Sequence, residues 1–176
     1  LVANFDATGA SVSGSADLLG VASNLLLTFD DDSERVSIRV SAQKSAALAE
    51  MMSAHTGIDI NGTLAGSIEL NSDMQFGNVL IDVGVDFSDA GASVPTIGWA
   101  KLPGEPGTAA MTLELDEGRL RRINDITVTS GSLSARGEVQ FNAPEDGPLQ
   151  ISGVTFRDLA WPGNDIQQLT ASTAEN

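Results

Sequence analysis

The stretch Asn78-Val79-Leu80-Ile81-Asp82-Val83-Gly84-Val85-Asp86-Phe87-Ser88 decides the fold. Val79, Ile81, Val83, Val85 and Phe87 stand at every second position, with Asp82, Gly84 and Asp86 between them. Side chains of a β-strand point alternately to opposite faces, so these five form one apolar stripe about 30 Å long at roughly 3.3 Å per residue. The other face of the strand is polar. What covers the stripe is the functional question.

Upstream, Leu25, Leu27 and Phe29 alternate into a turn at Asp30-Asp31-Asp32-Ser33, and Val36, Ile38 and Val40 alternate on the way back. That pattern predicts a β-hairpin over 25–40. The opening stretch, Ala3-Asn4-Phe5 to Asp17, reads as a weaker strand pair around Gly9 and Gly14. Ser41 is a candidate cap for a helix over about 42–55, stopped by Gly57, whose Leu48, Met51, Met52 and His55 share one side at helical spacing. Such a helix would lay that side on the sheet.

Downstream the pattern is β throughout, with strands expected at Ile58 to Ile60, Thr63 to Leu70, Met111 to Leu115, Ile126 to Thr129, Leu133 to Phe141 and Leu149 to Phe156. Turn-forming clusters separate them: Asn71-Ser72-Asp73, Ser88-Asp89-Ala90-Gly91, Asp116-Glu117-Gly118 and the run from Asn142 to Pro148. An antiparallel meander is the simplest topology. A faint repeat, glycine-apolar-glycine followed by alternation, recurs at Gly9 to Gly14, Gly62 to Leu70 and Gly131 to Phe141. Glycine inside a strand marks a bulge, a bend or a close approach. The repeat fits either a regularly curving sheet or three hairpins that share turn chemistry.

The 176 residues fit one domain, and 41% hydrophobic content supplies a substantial core. Six Phe, two Trp and no Tyr leave the packing to aliphatic side chains. A net charge of −15 with only nine Lys and Arg argues against a nucleic-acid partner and against docking on an anionic membrane surface. Without Cys there are no disulfides or thiolate metal sites, and the acidic, Lys-poor composition leans towards an extracytoplasmic setting. No apolar run is long enough to cross a bilayer. The chain opens on Leu1 with no leader pattern, and the expectation is a single β-rich segment, 1–176, of a longer polypeptide.

Reactive constellations are sparse. His55 is the one histidine and reads as a helix-end residue, favoured there by the helix dipole. No nucleophile elbow and no glycine-rich nucleotide loop is present. Asp30 to Glu34, or Asp82 with Asp86, could offer hard oxygens to calcium, but the first lacks EF-hand spacing and both read more simply as solvated surface. Paired carboxylates could serve a glycosidase, although scarce aromatics disfavour sugar stacking. No catalytic residue, metal site or cofactor is therefore assigned. Trp99 and Lys101, before the rigid turn Pro103 to Gly107, read equally as an amphipathic rim or a binding spot.

From Val85-Asp86-Phe87-Ser88 through Pro95, Ile97-Gly98-Trp99, Lys101 and Pro103 to Gly107, the chain resembles the AsmA-like proteins of Gram-negative bacteria, in the large YhdP-type branch related to TamB. Gly118-Arg119-Leu120, the Gly131 to Val139 stretch and the preceding Ile58 to Gly66 also fit, so the resemblance covers roughly 58–169. It implies an internal periplasmic segment of a protein anchored in the inner membrane outside this sequence. It implies a curved antiparallel sheet folded into an open groove, with an apolar floor for phospholipid acyl chains. It also implies a non-enzymatic role in lipid transport between the membranes and in outer-membrane integrity.

On that reading Leu25, Leu27, Phe29, Val36, Ile38, Val40, Val79, Ile81, Val83, Val85, Phe87, Met111, Leu113, Leu115, Val139 and Phe141 line the groove. Partners would be acyl chains and neighbouring segments of the same protein, or a second copy joined at sheet edges. The same alternation also permits a closed β-sandwich acting as a passive spacer or adhesive module, with calcium at the acidic turn.

Overall fold

In a computed structural model, residues 1–7, 9–142 and 147–173 are described. Eleven strands form one antiparallel sheet whose spatial order is a simple meander, interrupted twice by segments that together build a small cap. β1 (Val2–Asp6), β2 (Gly9–Leu18), β3 (Val21–Asp30) and β4 (Arg35–Ser45) pair in succession. Then come α1 (Ala46–Thr56), β5 (Asp59–Asn61), β6 (Leu64–Asp73), β7 (Asn78–Asp86), β8 (Gly91–Val94) and β9 (Trp99–Lys101). β10 (Thr108–Asp116), β11 (Arg119–Ser130), β12 (Leu133–Asn142), β13 (Gln150–Trp161) and β14 (Asn164–Ser172) complete the sheet. β6, β7 and β10 continue directly from β4, while β5, β8 and β9 form a separate three-stranded sheet.

The open antiparallel sheet expected from the sequence is the one formed, and the alternative, a closed sandwich, is not. β1 and β14 stand at opposite ends of the order, so the large sheet is neither closed into a barrel nor faced by an equal partner. The molecule exposes 10868 Å². A compact chain of 18.2 kDa would expose roughly 8,100 Å². The excess is the signature of an open sheet.

Several boundaries move for physical reasons. The helix begins at Ala46 rather than 42, because β4 keeps pairing with β6 through Ala42–Gly66 and Ser45–Leu64. Ser45, not Ser41, is the cap, its hydroxyl accepting the Leu48 amide at 3.2 Å. Gly57 ends the helix in the left-handed region, φ 69°, as its position predicted. Asn71-Ser72-Asp73 is the end of β6, and the turn follows it, where the Asp73 carboxylate accepts the Gly77 amide at 3.0 Å. The anticipated turn at 142–148 falls partly on 143–146, outside the described residues.

Helix and small sheet form a cap at one end of the strands. Ala49, Leu64 and Ala90 are its buried centre, with Leu48, Met52, Ile60, Val85 and Phe87 packed around them. Met51 and His55, expected on the packing side of the helix, are exposed. The Ser53 hydroxyl donates to the Ile58 carbonyl at 2.9 Å and so ties α1 to the strand that follows.

Candidate functional site

Cross-strand pairing assigns every central side chain to one of two faces. Leu25–Val40, Leu27–Ile38 and Phe29–Val36 are direct partners, as are Ile38–Leu70, Val40–Ile68, Ile68–Val83 and Leu70–Ile81. Met111 then faces Val83, Leu113 faces Ile81 and Leu115 faces Val79. Ile123 continues the row to Val139. Residues directly opposite in a ladder project to the same side, so fifteen of the sixteen expected lining positions share one face of the sheet, and Phe87 lies just past the end of β7. They extend to Val12 and Ala10 on β2, and to Val154 and Phe156 on β13.

Fourteen of the sixteen are half-buried; only Val36 and Val79 are buried. Ile68, between Val40 and Val83 in the middle of this face, is 48% exposed. Strand neighbours shield these side chains at their flanks, and nothing lies over the central floor. From β2 to β10 the register brings no ionisable side chain to this face. Ser23 and Ser72 on this face are buried at strand ends and donate to the carbonyls of Val21 and Asn78 at 3.1 and 3.0 Å, and Ser45 caps α1. The surface therefore offers a guest contact area and almost no hydrogen bonding.

Two expected positions serve another purpose. Val85 and Phe87 lie under the cap and pack against its buried centre. Conversely, Ile68, Leu70, Ile123, Ile126 and Val128 belong to the floor and were not among the expected residues. The alternation Ile68-Glu69-Leu70 carried the signal for the first pair; the bulge between Ile123 and Ile126 broke it for the others.

The opposite face is mostly polar, and its centre is internally paired. Arg39 and Glu69 are in contact at 2.5 Å, and the Thr112 hydroxyl donates to Asp82 at 2.6 Å. At the hairpin tip, Asp30 accepts the amides of Asp32 and Ser33 at 3.0 and 3.2 Å. These bonds, led by those from Ser33, hold its carboxyl below the usual carboxylate range. No group of three or more metal-ligating side chains stands together among the described residues. Lys101 is neither a rim nor an open binding spot. It is buried, and its ammonium donates to the carbonyls of Ser88, Ala90 and Leu102 at 3.0, 2.7 and 3.0 Å, 5.8 Å from the centre of the Phe87 ring.

Among the described residues no helix is long and apolar enough to cross a membrane. No family model, curated protein or solved structure matches this chain.

Proposed function

We propose that this chain is a periplasmic segment of an AsmA-like, YhdP-type protein, and that its apolar face is a trough shielding phospholipid acyl chains in transit between inner and outer membranes. The observation that carries the reading is Ile68, half-exposed at the centre of an aliphatic face with no layer above it. Soluble monomers seldom leave a contiguous apolar patch larger than about 300–600 Å² uncovered. Hydrocarbon tails suit such a surface, because they gain from aliphatic contact and need no polar partner. The protein does its work by burial and carries out no reaction. Its inner-membrane anchor lies outside this sequence. β1 and β14 each pair on one side only, so neighbouring segments of the same protein extend the sheet there, and in the isolated chain a second copy takes their place.

Native mass spectrometry of the purified chain tests this. Co-purified phospholipid, reduced in Val83→Asp while the β-sheet circular dichroism persists, is the expected result. A lipid-free monomer, or an unchanged lipid load in a folded Val83→Asp protein, would leave the spacer role instead.

A further inference from the structure

On the polar face, away from the trough, β11, β12 and β13 enclose a depression of about 640 Å³. Arg122, Arg136 and Arg157 line it, one from each strand. We propose that this depression binds a phosphate group.

Charge distribution is the first reason. Residues 119–176 hold five of the nine basic side chains of the chain but only seven of its 24 acidic ones, so this third carries a net charge of −2 against −13 for the rest. Register is the second. Arg136 and Arg157 are direct cross-strand partners, and like charges directly opposite repel unless an anion lies between them. Existing carboxylates do not fill that role. Arg136 meets Asp158 only at 4.0 Å, with 73% of the arginine side chain exposed, and neither Arg122 nor Arg157 has an ion-pair partner among the described residues.

Backbone shape is the third reason. Asp125 in β11 and Asp158 in β13 adopt left-handed conformations, φ 49° and 55°, and the ladders to β12 shift register beside both. Bulges bend a strand and re-aim its side chains, and here one flanks the depression on either side. Guanidinium forks match the geometry of phosphate oxygens, which is why the ligand is assigned as phosphate rather than as a cation drawn by Asp125, Glu138 and Asp158.

Isothermal titration with inorganic phosphate at low salt should show saturable binding that weakens about tenfold in Arg157→Gln or Arg136→Gln, and again as salt is raised. Arg39→Gln, on the same face but outside the depression, should bind as the parent does. Sedimentation with phosphatidylglycerol vesicles separates the two sources of the group. Pelleting that Arg157→Gln abolishes assigns a lipid headgroup, and phosphate binding without pelleting assigns a soluble phosphorylated molecule. Neither heat nor pelleting, or an equal loss in Arg39→Gln, overturns the site. Arg157→Gln removes a like-charge pair, so its melting temperature should not fall; a fall would show that Arg157 already serves the fold itself and would overturn the site. Because the trough lies on the other face, lipid loading of the apolar floor is an independent measurement.

Discussion

Leu48 lies over Gly66, its Cδ2 only 3.1 Å from where a β-carbon on that glycine would stand. Gly66 is the direct partner of Val85 and Ala42 on the apolar face, so this contact places α1 on the trough side of the sheet, over one end of the floor. The cap closes that end above β6 and β7.

Enlarging Gly66 should therefore act on the cap before the sheet. Gly66→Ala asks the end of one flexible side chain to move by a few tenths of an ångström and should change stability by less than about 1 kcal/mol. Gly66→Val overpacks the site and should cost about 1–3 kcal/mol, of the size usual for an extra methyl pair in a packed core. Chemical denaturation measures both, and equal effects would place Leu48 elsewhere.

The glycine pattern shows how far the sequence could be read. Gly14, Gly66 and Gly137 each sit on the apolar face beneath a large side chain: Leu1, Leu48 and Phe156. Of the meanings open to a glycine in a strand, close approach is the one these positions share. Strands with strict alternation, such as Val79 to Val85, were legible because their apolar side chains fall on one face and Asp82 and Gly84 on the other. β14 was not, since Gln167 and Gln168 interrupt its few apolar residues and it takes strand form by pairing with β13. β8 and β9 were hidden likewise, being four- and three-residue pieces whose geometry comes from the cap around them. Which face a stripe presents is local; whether a second layer covers it depends on strands that sequence alternation does not position.

Floor and cap should respond differently to truncation. Leu64 is 1% exposed at the centre of the cap, and Leu64→Ala should cost about 2–5 kcal/mol through lost burial and a residual cavity. Ile68→Ala, four residues along the same strand, removes atoms that water already half-reaches, and should cost about 1 kcal/mol, scaled from the usual burial value. Urea unfolding compares them. An Ile68 penalty as large as that of Leu64 would mean that the floor is covered in solution.

Lys101 staples the cap through three carbonyls. In Lys101→Met the Ser88 and Leu102 carbonyls keep the Gly104 and Glu105 amides, at 2.8 and 3.3 Å, and the Ala90 carbonyl is the acceptor that loses its donor. A buried polar group stripped of its partner costs about 1–3 kcal/mol, so the variant should lose an amount of that size. The loss belongs to the cap. Buried Trp99, on the same short strand, reports it through fluorescence, which should shift to the red before the far-ultraviolet β signal declines. Lys101→Arg should not restore the parent, because a planar guanidinium cannot aim at three carbonyls around a point. Simultaneous loss of both signals would make Lys101 part of the main sheet's stability.

The loop that joins β7 to the cap should respond at both ends of the pH scale. Bonds from Ser88, with smaller help from Lys44 and Lys101, lower the Asp86 pKa from 3.8. A lowered carboxyl pKa stabilises the fold above 3.8, and that contribution is lost as pH falls through the folded value. Lys44, in contact with Asp89 at 2.6 Å, has its pKa raised from 10.5 by that hydrogen bond and charge. Its contribution is present below 10.5 and disappears as pH rises through the folded value. Both groups are solvated, so the effects are small and weaken with salt. Melting temperature should therefore decline below about pH 4, less steeply in Asp86→Asn than in the parent, and above about pH 10.5, less steeply in Lys44→Met. Trp99 fluorescence, followed across the same range, should move with each decline. Identical pH profiles for parent and variants would detach this loop from the stability of the cap.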